Sequence, residues 1–213
     1  MMSSLAISDA VLAFASAFGV FLLAQRKSFA KIHRQTATCA MLGFLLMALG
    51  ATAGSLRYGF SPIWIGLHEM LTNVALFMSP PLVGIAVCLG LTTRSLSGPV
   101  WGRIIIAVCL VYEVSRWNGV ELIYRDIQIA LLAVAILFLA LKSPVETGCR
   151  LLIISSVISI FTGVMIIGTN GTLAGYLRLD LFRYLIGLGN LLMSSGMYLM
   201  LKNSYPKFDS PNP

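Results

Sequence analysis

Apolar residues run along this chain in long blocks, and the polar residues that interrupt them come in short clusters, so the pattern itself sets the architecture. A helix needs roughly 17 to 25 apolar residues to cross about 30 Å of hydrocarbon. Measured that way, seven segments qualify: Ile7 to Leu23, Thr36 to Leu56, Trp64 to Leu91, Val100 to Ser115, Val120 to Leu141, Leu151 to Thr169 and Leu181 to Leu201. The expected fold is an all-α integral membrane bundle of seven transmembrane helices, one domain over 1–203, followed by a short disordered cytoplasmic tail over 204–213. Charge between Glu113 and Asp126 blurs the facing ends of the fourth and fifth segments. Ser79-Pro80-Pro81 interrupts the third near its middle and should kink it.

The basic residues orient the bundle. Ten of them (Arg26, Lys27, Lys31, Arg34, Arg94, Arg103, Lys142, Arg150, Lys202 and Lys207) fall on the side of the C-terminus, against five on the other (Arg57, Arg116, Arg125, Arg178 and Arg183). That bias puts the N-terminus outside and the C-terminus in the cytoplasm. All five of the outer basic residues are arginine, and six of the eight carboxylates (Asp9, Glu69, Glu113, Glu121, Asp126 and Asp180) lie with them. Arginine suits fixed, partly desolvated pairing with carboxylates, so the outer half reads as a built polar layer.

Composition removes several classes. At 58% hydrophobic and 11% charged, the chain lies far from soluble proteins, in which about a quarter of residues are charged. The net charge of +7 resides in topology-setting clusters, not in a nucleic-acid surface. The expected location is a bacterial inner (plasma) membrane. The first basic residues, Arg26 and Lys27, follow the first apolar run, which argues for a retained first helix over a cleaved signal peptide. Cys39, Cys88, Cys109 and Cys149 form no C-x-x-C pair and read as packing residues.

Candidate chemistry gathers where the second segment ends and the third begins, GATAGSLRYGFSPIWIGLHEMLTN from Gly50 to Asn73. Arg57 has no carboxylate a helical turn away, so its partner should come from another helix: Asp9, Glu69 or Asp126. His68 and Glu69 open the third helix, with His68 over Thr72, and are the candidate acid–base pair. Three local pairs, Glu113 with Arg116, Glu121 with Arg125 and Asp180 with Arg183, have salt-bridge spacing. Two histidines, His33 and His68, cannot build a histidine-rich metal site, and neither a metal nor another cofactor is expected. G-x-S-x-G, H-E-x-x-H, Walker and Rossmann patterns are absent. Gly50 and Gly54, with Gly187, Gly189 and Gly196, should let the second and seventh helices pack deeply.

SDAVLA around Asp9, GATAGSLRYGF closing the second helix, His68-Glu69 opening the third, and LRLDLFRYLIGLGN opening the seventh are laid out in an order that resembles the seven-helix ceramidase-like membrane hydrolases. The resemblance implies zinc held by a histidine of helix 2 and an H-x-x-x-H pair of helix 7. Here those places hold Arg57 and the stretch with Asp180, Arg183 and Tyr184, and an arginine cannot ligate zinc. The leading expectation is therefore a pocket of Asp9, Arg57, His68, Glu69, Asp126, Asp180 and Arg183 that binds a membrane lipid or small amphiphile without hydrolysing it, with Arg57 facing an anionic headgroup. The alternatives are a metal-assisted hydrolase using His68 and nearby carboxylates, a non-catalytic subunit with a membrane protein partner, and a small transporter.

Overall fold

The computed structural model describes residues 2–203; the expected tail over 204–213, with Lys207, lies outside them. Seven helices follow in order: α1 (Met2–Leu23), α2 (Arg34–Gly59), α3 (Ile65–Leu91), α4 (Gly98–Trp117), α5 (Glu121–Lys142), α6 (Thr147–Phe161) and α7 (Arg178–Asn203). All seven are long and apolar enough to cross a membrane, α6 when counted with the turns that extend it to Ile167, and this is the make-up of a multi-pass membrane protein. The expected segments correspond one to one with these helices. The sixth differs most: its α-helix ends at Phe161 and a π-helical stretch, Thr162–Ile167, completes the span before Gly168 turns the chain at φ +65°.

Local chemistry explains the ends. Ser61 accepts from the Ile63 N–H at 3.3 Å and Pro62 fixes the following turn, which starts the chain into α3. Ser97 and Pro99 open α4, whose far end stops at Asn118 before Gly119 at φ +66°. Ser143 leaves α5 and donates to the Leu91 carbonyl at 2.8 Å, tying the end of α5 to the end of α3. Between α6 and α7 the chain makes a small hairpin, β1 (Thr172–Leu173) with β2 (Tyr176–Leu177), turned by Ala174 and Gly175 at φ 51° and 85°. Positive φ at both central residues is what a tight hairpin turn needs, but Ala carries a Cβ that resists it.

Small residues and hydroxyls make the seams. Gly50 lies against the Leu71 carbonyl, with the space for a Cβ only 3.3 Å away, and Ser79 donates to the Gly43 carbonyl, so α2 and α3 pack backbone to backbone. Gly189 and Gly196 face α6, where Ser156 donates to Gly189 O at 2.7 Å and Ser159 to Leu185 O at 2.8 Å. Gly187 faces Leu12 and Ala15 of α1. Thus α1 packs between α2 and α7, and α7 between α1 and α6. The main apolar core, with Leu23, Phe29, Phe44, Leu82, Met197 and Leu201, fills the half of the bundle where α1 ends and α2 begins. In the other half the apolar cluster is only Leu12, Ala51 and Ile186 with a few neighbours, and space opens there.

The helix α3 runs on through Pro80 and Pro81, where an interruption was expected. Neither proline can donate, so the Leu76 and Phe77 carbonyls lose their α-helical donors although the helix continues to Leu91.

Candidate functional site

Asp9 sits on α1 one residue after Ser8 and a turn after Ser4 and Leu5, so these groups share one face of the helix. That face meets the first turns of α7. Asp9 Oδ1 is 2.8 Å from Arg183 Nε, and both side chains are buried, 3% and 7% exposed. The Arg183 guanidinium also donates through Nη1 to the Leu5 carbonyl at 3.2 Å and to Ser8 Oγ at 3.3 Å. Asp180, one turn before Arg183, accepts from Ser8 Oγ at 2.6 Å and from Ser4 Oγ. The local Asp180–Arg183 pair expected from spacing is therefore replaced by an interhelical one. Arg183 reaches across to Asp9, and two serine hydroxyls satisfy Asp180 in its place. Burial drives the exchange, because each charged group here must find donors or acceptors inside the protein.

The second wall comes from α2 and α3. A Cβ on Gly54 would collide with Asp9 Oδ2 and stand 2.8 Å from His68 Cε1, so the missing side chain of Gly54 is the place where carboxylate and imidazole meet. His68 Nδ1 lies 3.2 Å from Thr72 Oγ1 and 3.4 Å from the Gly50 carbonyl. A proton on Nδ1 serves both oxygens and leaves Nε2 without one. The Tyr58 ring lies edge-on to His68 at 5.7 Å, with Arg183 at 5.3 Å and Arg57 at 5.1 Å from its centre. Further along α7, Asn190 donates to Ser16 of α1 at 2.9 Å, a second buried bond between the same helices.

At this centre a cavity of about 330 Å³ opens between α1, α2, α3, α5, α6 and α7. Its polar end holds Asp9, Tyr58, His68, Thr72, Arg125 and Arg183; the remainder is mostly apolar, with Ser79, Thr169 and Asn190 the other polar residues in the lining. Along α3 the lining runs from His68 to Gly84, about 24 Å at the helical rise. α3 and α7, which form opposite walls, barely touch each other.

Of the residues expected to form the pocket, Asp9, His68 and Arg183 line this cavity, and Asp180 backs them through Ser8. Arg57, Glu69 and Asp126 do not line it. Arg57 and Glu69 pair at 3.7 Å, with Glu69 61% exposed. Asp126 pairs with its neighbour Arg125 at 2.7 Å, and Arg125 is the member that lines the cavity. Thus Arg183, in the place expected for Arg57, is the central guanidinium. The expected Glu121–Arg125 pair is likewise absent: Arg125 turns to Asp126, and Glu121 Oε2 is buried with no hydrogen-bond partner among the described residues. Glu113 and Arg116 do pair, in two-pronged fashion with one bond at 3.0 Å, on the exposed end of α4. Tyr58, Gly54 and Ser8 were missed by sequence reasoning. Only Gly54 carried a signal, as half of the Gly50-x-x-x-Gly54 pair.

Among the described residues no three His, Cys, Asp or Glu side chains gather closely enough to hold a metal. The four cysteines stand apart as free thiols. No family model, curated protein or solved structure matches this chain.

Proposed function

We propose that this protein binds a membrane amphiphile, with the headgroup at the Asp9–Arg183 centre and the tail along the apolar cavity. The observation that carries this reading is the cavity itself: about 24 Å long by the rise of α3, mostly apolar along its length, and charged at one end only. A water-soluble substrate has no use for such a wall, whereas an acyl or alkyl chain does. Among the neighbouring helices that ring the cavity, α5 and α6 touch most lightly, and the seam between them is the proposed path for a tail arriving from the bilayer. By the excess of basic residues on the opposite side, the polar end belongs to the outer leaflet of a plasma membrane, with the N-terminus outside.

Kinship with the ceramidase-like hydrolases is a compatible proposal. It would place a lipid site at this same end of the bundle and cast this chain as a member that keeps the pocket without the zinc ligands. In a catalytic version of the reading, His68 or the unpartnered Asp9 carboxylate would serve as the base.

Ala133 lies in the cavity wall on α5 and is 7% exposed. Purified protein is expected to retain lipid or detergent in native mass spectrometry, and Ala133→Trp, which fills the tail space, is expected to lose it while remaining folded. A wild-type protein free of bound amphiphile, and indifferent to amphiphiles added in thermal-shift assays, would overturn the reading.

A further inference from the structure

With both of its carboxylates ionised, the buried polar end is one positive charge short. Asp9 and Asp180 are 2% and 6% exposed, and Arg183, itself 6% exposed, is the guanidinium buried between them. The other cations nearby are engaged: Arg57 with Glu69 at 3.7 Å, Arg125 with Asp126 at 2.7 Å. When both are ionised, two buried carboxylates sharing one guanidinium leave an uncompensated charge, an expensive arrangement in a medium of low dielectric. The shortfall has an address. Both Asp180 oxygens accept serine hydroxyls, and Asp9 Oδ1 has Arg183. Asp9 Oδ2 is buried without a donor among the described residues, in a side chain that forms part of the cavity wall.

Resting on the amphiphile reading above, we propose that the headgroup taken by this cavity is a cationic hydrogen-bond donor, a primary ammonium, placed against Asp9 Oδ2. The ammonium supplies both the missing charge and the missing N–H, and His68 and Thr72 line the same end of the cavity. An anionic headgroup adds a third negative charge to a centre whose arginine is already committed. A quaternary ammonium brings charge but no donor, and the aromatic face that would receive it, Tyr58, already lies against Arg57 and Arg183. An alcohol brings a donor without the charge.

The test uses the full chain in neutral detergent at neutral pH, titrated calorimetrically with four probes of one tail length: dodecylamine, dodecanol, dodecyltrimethylammonium and dodecanoate. Dodecylamine is expected to bind at least tenfold more tightly than each of the others, and Asp9→Asn to erase that margin. The wild-type ranking decides the matter by itself if Asp9→Asn does not fold. Equal binding of amine and alcohol, a preference for dodecanoate, or a margin that survives in Asp9→Asn overturns the ammonium proposal and leaves amphiphile binding standing. Failure of all four probes to bind overturns both.

Discussion

At the scale of single residues, the centre rests on one glycine and one ion pair. Gly54 leaves the space in which Asp9 and His68 meet, and any side chain there must displace one of them. Gly54→Ala is expected to cost about 1–3 kcal/mol, the usual range for overpacking, read as a lower thermal midpoint in detergent. Gly59→Ala is the matched control, since its Cβ would meet only Ala6 at an ordinary 3.4 Å and should shift the midpoint little. Breaking the buried pair is a heavier insult. Arg183→Met leaves Asp9 and Asp180 buried with no guanidinium and is expected to cost about 3–5 kcal/mol, whereas Asp9→Leu leaves Asp180 as the opposite charge for Arg183 and should cost less. Arg57→Ala, which removes a half-solvated pair at 3.7 Å, is expected to cost less than about 1 kcal/mol. A thermal-shift series across these variants distinguishes Arg183 from Arg57 as the structural arginine.

Among the elements, the seams and turns divide into those the sequence announces and those it hides. Helix number and rough limits were legible because spanning hydrocarbon demands long apolar runs, and little else in a sequence makes them. Ion-pair partners were legible in part: Glu113 and Arg116 pair as their spacing suggests, and Arg57 takes Glu69, one of its three expected partners. Spacing along one helix proposed Asp180 for Arg183, but Asp9, brought up from α1, is its partner. Helix-to-helix distances decide such contests, and a linear pattern contains none of them. The hairpin before α7 was hidden for a different reason: its turn uses Ala174 at φ 51°, where Asn or Gly is the usual signal. Ala174→Asn, giving Asn-Gly at the turn, is expected to stabilise the protein by about 1 kcal/mol, the order of the penalty for Ala in the left-handed region. On the α6–α7 seam the sign reverses. Gly189→Leu would drive a side chain into Ile160 and the Ser156 carbonyl and part the two helices, an outcome visible as loss of the folded peak in size-exclusion chromatography.

Over the whole molecule, the bundle is unevenly held. The first, second, third, sixth and seventh helices share the tight seams, whereas α4 is mostly exposed and touches its neighbours lightly, so much of its apolar surface is free to face lipid. The proposed orientation has its own check. In a background free of the native cysteines, Phe60→Cys, at the exposed α2–α3 connection, is expected to react in intact cells with a membrane-impermeant thiol reagent, and Ser97→Cys, between α3 and α4, only after lysis. The opposite pattern would invert the bundle. The ion pair between α1 and α7 also has a consequence for how the chain is made. Asp9 enters the insertion machinery first and its guanidinium partner emerges last, so α1 must wait with a naked carboxylate while the rest of the polypeptide is synthesised. A nascent chain truncated before Arg183 should therefore release α1 from the bilayer or surrender it to quality-control proteolysis, and restoring the seventh helix as a separate polypeptide should rescue it.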